Sequence, residues 1–452
     1  MTTKLLTIFI SLLFNCAIGY AQIPIIPKPN EIKLDSGQFN FSKGLDIKIA
    51  RGDNATQVLQ KDLIAFVKEK KINIVPFSAT FISLNLLKAN VDSIPNDGYF
   101  LSISPNQIHI TATTNVGLFY GIQSLKQLMH FNVSKKINCV SIKDIPAFSY
   151  RGFHIDVAHR NLTISTIKRY IDAMALLKLN QLHLQFTDEH SWHLQLKQTN
   201  IDGIAEQAYS MAAMQEVVQY ANERFINIIP EINLAIPSFL NDSNFAQQKK
   251  CLDEITSLFQ GKYIHLNFYK NYKKEIEQYL ISKNKIGIER DVNVLNNGIY
   301  QAYNSKKNAS TLAQLGKSII QSPKNYCSLD FQQYWDDEKK ALYMTYLPLD
   351  KAYAFNPISK IKEAPIKAKI IGAQACAPTQ FIKDSTELEY MVFPRLVALA
   401  ECMWTAAPQK KFKDFETRLK QLKNYFFKET EIIYDIVHIN PNKAKKKKQK
   451  IE

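Results

Sequence analysis

Residues 151–197 constrain the fold more than any other stretch, because they predict a strand, a helix and a second strand in immediate succession. Phe153–Ala158 is short and mostly apolar, apolar residues recur at helical spacing from 164 to 177, and apolar and polar residues alternate from 182 to 187. The second strand runs directly into Asp188 and Glu189. A parallel strand that ends in carboxylates is typical of a βα barrel, which keeps its functional groups at the carboxyl ends of its strands.

Further strand candidates follow at the spacing of such a barrel. The predicted barrel strands are 153–158, 182–186, 227–232, 263–268, 292–295, 318–321, 341–346 and 369–375. The predicted fold class is therefore α/β, with a (β/α)8 TIM barrel at about 148–430 that is preceded by a smaller α+β domain at 22–147. In the smaller domain, strands are expected at 45–50, 81–87, 98–104 and 107–113, and a helix at 115–129.

Both ends of the chain predict segments outside these domains. Lys4, an apolar run to Ala17 and small residues up to Ala21 are typical of a cleaved signal peptide at 1–21, so the protein is expected to be secreted or periplasmic. Cys16 offers a lipidation site, but Phe14 and Asn15 before it make a poor lipoprotein signal. Residues 431–452 form a basic carboxyl-terminal tail.

Composition excludes several functional classes. The net charge of +16 suggests nucleic-acid binding, yet the signal peptide argues against a nucleic-acid partner. No apolar run after the signal is long enough to span a membrane. The five cysteines beyond the signal have no metal-ligand spacing, so no metal and no cofactor are expected.

The barrel segments carry a specific family resemblance. The motifs stand in order in this sequence as Arg151-Gly152, Asp156-Val157, Arg169 to Asp172, Lys178 to Asn180, Leu182-His183, Thr187-Asp188 and Trp192, and they resume at 387–404. This combination resembles glycoside hydrolase family 20, the β-N-acetylhexosaminidases. The resemblance implies attack by the acetamido oxygen of the substrate itself, helped by an Asp-Glu pair after the fourth strand that stabilises the oxazolinium and protonates the leaving oxygen.

That pair is missing from this chain. The family's His-x-Gly-Gly-Asp-Glu motif falls on His265 to Lys270, so Tyr269 and Lys270 stand where the resemblance implies the two carboxylates. A lysine ammonium about 5 Å from a developing cation repels it by roughly 3 kcal/mol at an effective dielectric of about 20. The sequence therefore predicts no catalytic residue at the family position.

Other family positions differ as well. The substrate-binding arginine falls on His159, with Arg160 one place later, and the glutamate of the pocket floor falls on Gln380. A family tyrosine falls on Ser328, and a family tryptophan corresponds to Tyr303.

We therefore expect a catalytically impaired family member that binds an amino-sugar glycan or a protein partner at the barrel mouth. The alternative is an active β-N-acetylhexosaminidase whose carboxylates have moved to Asp188, Glu189 or Glu231. The expected substrate-binding residues are His159, Arg160, His183, Asp188, Trp192, Glu231, Tyr303 and Gln380. Two roles stay open at this stage. His183 is a core histidine or a ligand-binding one, and Trp192 is a core residue or a sugar-stacking platform.

A mouth refitted for an anionic glycan is a further hypothesis. It would use Lys270, Arg160 and His159 as cations and Trp192 as a stacking face.

Overall fold

The computed structural model describes residues 23–88, 94–130, 135–197, 203–235, 245–290, 295–303, 311–334, 345–359 and 361–434. The predicted signal peptide and most of the predicted basic tail lie outside these residues. Within the described ranges, every helix is too short or too polar to cross a membrane.

The first domain is a six-stranded sheet covered by two helices. Its elements are β1 (Glu31–Asn40), β2 (Asp46–Arg51), α1 (Asn54–Glu69), β3 (Phe81–Leu86), β4 (Tyr99–Ile103), β5 (Gln107–Ala112), α2 (Asn115–His130) and β6 (Lys136–Asp144). The strand order is β1-β6-β4-β5-β3-β2. The sequence patterns did not predict β1, because this edge strand pairs with β6 alone and most of its side chains are exposed.

The second domain is a closed barrel of eight parallel strands, which confirms the predicted fold class. The remaining strands are β7 (Tyr150–Asp156), β8 (Gln181–Gln185), β9 (Trp192–Leu194), β10 (Ile204–Tyr209), β11 (Asn227–Asn233), β12 (Tyr263–Asn267), β13 (Ile286–Glu289), β14 (Ile299–Ala302), β15 (Ser318–Gln321) and β16 (Ile370–Ala377). The barrel is built from β7, β8 and β11 to β16, and the short strands β9 and β10 pair with each other outside it.

Helices surround the barrel and fill the connections between its strands. They are α3 (Ile164–Leu176), α4 (Met211–Asn222), α5 (Phe245–Leu258), α6 (Lys273–Ser282), α7 (Lys324–Cys327), α8 (Leu349–Tyr353), α9 (Ala364–Lys369), α10 (Ser385–Val392), α11 (Arg395–Trp404) and α12 (Phe412–Thr430). Thr163 caps α3 by accepting a hydrogen bond from the Thr166 amide.

The predicted fifth to seventh barrel strands are wrong in their position or their order number along the chain. The fifth strand is β13 rather than 292–295, the sixth is β14, and the predicted 318–321 strand is the seventh. Gly287 obscures the β13 pattern, since a glycine weakens a strand signal. Any larger residue would collide at this position, because an added Cβ would lie 2.4 Å from Leu295 Cδ1. Residues 292–294 of the predicted fifth strand and 341–344 of the predicted seventh strand lie outside the described residues.

Candidate functional site at the barrel mouth

The mouth of the barrel is the end at which its parallel strands finish. Asp188 follows β8, Glu231 lies two residues before the end of β11, and Tyr269 and Lys270 follow β12. Because these strands are parallel neighbours, the four positions lie at the same end of the barrel.

The position of the family pair carries no carboxylate. From Asn267 to Lys274 the sequence contains neither Asp nor Glu. Phe268 is buried at 3% exposure, and Tyr269 is partly buried and accepts a backbone hydrogen bond from Tyr272. Lys270 begins a short 3-10 helix, and its side chain lies outside the described part of the chain.

Below the mouth, four buried side chains meet in the barrel interior. This interior cluster consists of His154, His183, Glu231 and His265, which come from the consecutive strands β7, β8, β11 and β12. Glu231 Oε2 lies 3.0 Å from His183 Nε2, 3.3 Å from His265 Nδ1 and 3.4 Å from His154 Nε2. His183 Nε2 and His265 Nδ1 are themselves only 3.1 Å apart.

Arg290 closes the cluster on the side of the mouth. Its Nη1 and Nη2 donate to the two oxygens of Glu231 at 2.9 and 3.0 Å. Burial alone would raise the pKa of Glu231, but the charges of Arg290 and His265 hold it well below its ordinary value. Burial lowers the pKa of His183 to about 3. At neutral pH the cluster therefore combines an ionised carboxylate with a neutral His183.

Sequence reasoning did not identify Arg290 as a site residue. The residue directly follows β13, a strand that the sequence patterns placed too late, so its position at the mouth could not be assigned. The signal that would have found it is a charged residue at the carboxyl end of a barrel strand.

A second polar group forms the rim of the mouth. His159 Nδ1 lies 2.7 Å from Asp156 Oδ2, and His159 Nε2 lies 3.5 Å from Glu189 Oε2. The hydrogen bond to Asp156 is the main cause that raises the pKa of His159 to about 9. Asp188 accepts backbone hydrogen bonds from His190 and Ser191, so its carboxylate holds the loop after β8.

Two of the predicted substrate-binding side chains are engaged elsewhere. The Arg160 guanidinium donates twice to the carbonyl oxygen of Ile382. Trp192 is completely buried, and its indole N–H donates to the carbonyl of Leu194. These contacts oppose the binding roles that the sequence suggested for both residues, and they fit the core alternative for Trp192.

The remaining predicted residues differ in exposure. Tyr303 is partly buried, its ring centroid is 5.5 Å from Arg290 Cζ, and its hydroxyl lies 3.5 Å from Ser328 Oγ. Gln380 is exposed. His183 and Glu231 lie in the barrel interior, at 0% and 4% exposure, so they support the mouth from below.

The arrangement can bind polar groups better than it can donate a proton. Asp156, Asp188 and Glu231 are all hydrogen-bonded anions, and the pKa of each is lowered even though burial opposes the shift. Asp330 differs from them because the effect of burial outweighs its hydrogen bonds and raises its pKa.

Comparisons with known proteins identify the relatives of both domains. The model of the catalytic domain of glycosyl hydrolase family 20 matches residues 148–243 and 241–407, and the model of domain 2 of that family matches residues 22–145. A beta-hexosaminidase from Porphyromonas gingivalis is 27% identical over 427 residues, and the match covers 74% of this chain and 54% of that relative. The chain thus spans about half the length of this relative.

Another beta-hexosaminidase, from Vibrio furnissii, is 23% identical over 85% of this chain and 77% of that protein. Among solved structures, the beta-N-acetylhexosaminidase from Streptomyces coelicolor aligns with a TM-score of 0.78 at 21% identity, covering 92% of this chain and 98% of that one. At this level of identity the structural likeness establishes the fold.

Proposed function

Because the chain belongs to glycoside hydrolase family 20, we propose that its barrel mouth binds an amino-sugar glycan without hydrolysing it. The observation that carries this proposal is the segment after β12, where Tyr269 and Lys270 replace the two carboxylates that family chemistry needs. An oxazolinium is a cation and its formation requires a protonated leaving group, so a tyrosine and a lysine supply neither charge stabilisation nor an ordinary acid.

Hydrolysis by relocated carboxylates is the alternative, and the described geometry gives it little support. Glu231 is buried against Arg290, and Asp188 is held by the backbone of its own loop. Glu189 is 75% exposed and its Oε2 lies 3.5 Å from His159 Nε2, so it lacks the buried surroundings that suit a general acid. Burial raises the pKa of Asp330, but this carboxyl has no second carboxylate beside it among the contacts of the described residues.

Glycan binding is supported by the polar side chains that remain partly exposed at the mouth. His159 offers a positive charge, Tyr269 and Tyr303 are partly buried aromatic residues, and Arg290 retains 23% side-chain exposure. Sugar sites combine aromatic surface with a few positioned polar groups, which matches this composition. A protein partner at the same mouth would be recognised through the same groups.

We also propose that the protein is exported through a cleaved signal peptide. The apolar run that ends at Ala21 would direct the chain to the secretory pathway, and the mature protein would begin near Gln22. Amino-terminal sequencing of protein recovered from the periplasm or the medium tests this. A mature protein that retains residues 1–21 would contradict it.

Hydrolysis is tested with aryl β-N-acetylglucosaminides and β-N-acetylgalactosaminides. We expect purified protein at high concentration to release the aryl group no faster than buffer without protein does. Turnover that persists in wild type and disappears in Asp330→Asn, Asp188→Asn or Glu189→Gln would instead establish relocated catalysis.

Binding is tested by saturation-transfer NMR with N-acetylglucosamine and its β-linked oligomers, using mannose as the comparison sugar. We expect transfer to the amino sugars that weakens in Tyr269→Ala and is unchanged in Lys33→Ala, a substitution at an 82% exposed position in the other domain. Equal transfer to all sugars, or none to any, would refute the glycan site.

A further inference from the structure

We propose that the interior cluster binds one divalent transition-metal ion of the zinc class, with one ligand from each of three consecutive barrel strands. His183, Glu231 and His265 would be these ligands, and His154 lies beside them. The proposal concerns the barrel interior below the mouth, and it does not depend on whether the mouth binds a glycan.

The distances within the cluster match the spacing of metal ligands. His183 Nε2, His265 Nδ1 and Glu231 Oε2 form a triangle with sides of 3.0, 3.1 and 3.3 Å. The point in their plane that is equidistant from the three atoms lies about 1.8 Å from each. An ion about 1 Å out of that plane therefore has three ligand distances of roughly 2.0–2.1 Å, as zinc has with nitrogen and carboxylate oxygen.

His154 supplies the independent observation. The residue is 3% exposed, and neither of its ring nitrogens meets hydrogen-bond geometry with any group in the described part of the chain. Burial of an imidazole without a partner is costly. His154 Nε2 lies 3.4 Å from Glu231 Oε2, so an unpartnered buried imidazole borders the proposed ligands.

A hydrogen-bond network accounts for only part of the cluster. His265 Nδ1 and His183 Nε2 are within hydrogen-bond distance of each other at 3.1 Å, and one can donate to the other. Such a network leaves both ring nitrogens of buried His154 without an aligned partner. A cation at the centre would attract all three ligand atoms at once.

The Gln374 amide contacts the other ring nitrogen of His183. His183 Nδ1 lies 3.1 Å from Gln374 Nε2 and 3.3 Å from Gln374 Oε1, and an Nδ1–H directed at the oxygen would leave Nε2 free to bind a metal. The Tyr150 hydroxyl fixes Gln374 Oε1 at 2.6 Å. Arg290 orients Glu231, but its positive charge also opposes a second cation, so removing that charge should tighten metal binding.

The ligand set would consist of three protein side chains, and a further donor would complete a tetrahedral site. The ion would join β8, β11 and β12, which are neighbours in the barrel. The expected role is therefore to stabilise this part of the barrel beneath the mouth.

The test uses the full-length protein, purified, stripped with a chelator and titrated with Co2+. We expect the intense visible absorption of tetrahedral Co2+, saturating at one equivalent and abolished by added Zn2+. Zinc should also raise the midpoint of thermal unfolding of the stripped protein. Only weak octahedral absorption, or no shift of the midpoint with zinc, would overturn the proposal from the wild-type protein alone.

Variants locate the ion. His183→Gln and Glu231→Gln keep side-chain volume and should each weaken Co2+ binding at least tenfold, whereas Arg290→Gln should strengthen it. The matched control is His193→Gln, a buried histidine beside Asp188 that lies outside the interior cluster. Equal Co2+ binding by the His183 and His193 variants would refute the assigned ligands. If a cluster variant fails to fold, the wild-type absorption decides.

Discussion

His159 is the residue at which charge and position at the mouth are most closely linked. Asp156 binds its Nδ1 and raises its pKa to about 9, while Asp188 and Glu189 add to the shift. A family arginine is expected at this position by resemblance, so a protonated histidine retains the positive charge with a shorter reach. A histidine in place of the arginine keeps a positive charge at the rim of the mouth, but its shorter side chain reaches fewer ligand atoms.

We predict that the His159 imidazole stays protonated in the folded protein at pH 7.5, and that Asp156→Asn lowers its pKa to the ordinary value or below. The folded pKa lies above the unfolded value of about 6.5. His159 therefore contributes stability that is fully present below that value and is lost as pH rises through about 9. Nitrogen-15 NMR titration of the histidine rings measures both pKa values.

The comparison variant for this titration is Glu189→Gln. Glu189 is mostly exposed and 3.5 Å from His159 Nε2, so its loss should lower the pKa less than the loss of Asp156. A wild-type His159 that titrates near 6.5 would contradict the paired geometry.

Single residues also show what the sequence could predict about the site. Residue type and spacing located the missing pair at Tyr269 and Lys270, because a motif is a local pattern. The orientation of a side chain is not local. Arg160 turns to the carbonyl of Ile382, which is more than 200 positions away, and only the tertiary structure determines that contact.

At the scale of elements, the barrel strands with long apolar or alternating patterns were predicted, whereas of the three four-residue strands only β15 was predicted at its observed position. β7, β8, β11 and β12 carry such patterns, whereas β13 and β14 have four residues each and are fixed by their neighbours in the barrel. Barrel closure also depends on contacts between strands that are far apart in the sequence. β16 pairs with β7, and Gly372 faces Tyr150 where the two strands meet.

Gly372→Ala should prevent normal barrel closure. An added Cβ would lie 1.8 Å from the carbonyl oxygen of Tyr150, which is backbone and cannot move aside without separating the strands. We expect a loss of more than about 3 kcal/mol in the free energy of unfolding, or insoluble protein. Urea denaturation followed by circular dichroism measures the loss.

Gly261→Ala is the matched control for this substitution. A Cβ there would meet no atom closer than 3.6 Å, which is ordinary van der Waals contact. Its free energy of unfolding should change by less than about 1 kcal/mol. Equal stability of the two variants would show that the β16–β7 contact is not as close as described.

At the scale of the whole molecule, the two domains share a buried polar interface. Asp144, at the end of β6 in the first domain, accepts hydrogen bonds from Tyr99, from the indole of Trp404 and from Lys178. The side chains of Lys178 and Asp144 are both 0% exposed. Neither domain could satisfy these groups alone, since Lys178 and Trp404 belong to the barrel and Asp144 and Tyr99 to the sheet domain.

Asp144→Asn should therefore destabilise both domains together. The variant retains the side-chain volume but leaves the Lys178 ammonium without its anion in a site that water does not reach, and removing one partner of a buried pair costs about 3–5 kcal/mol.

Lys178→Met should cost less, because Tyr99 and Trp404 still donate to the Asp144 carboxylate. As a control, Lys33→Ala, which breaks a surface ion pair with Asp35, should change stability by less than about 0.5 kcal/mol. Urea unfolding should show one transition by tryptophan fluorescence, to which Trp404 at the interface contributes together with Trp192 and Trp335, and by far-ultraviolet circular dichroism, which reports on both domains. Two separated transitions in the wild-type protein, or a Lys178→Met loss that exceeds the Asp144→Asn loss, would contradict a shared folding unit built on this ion pair.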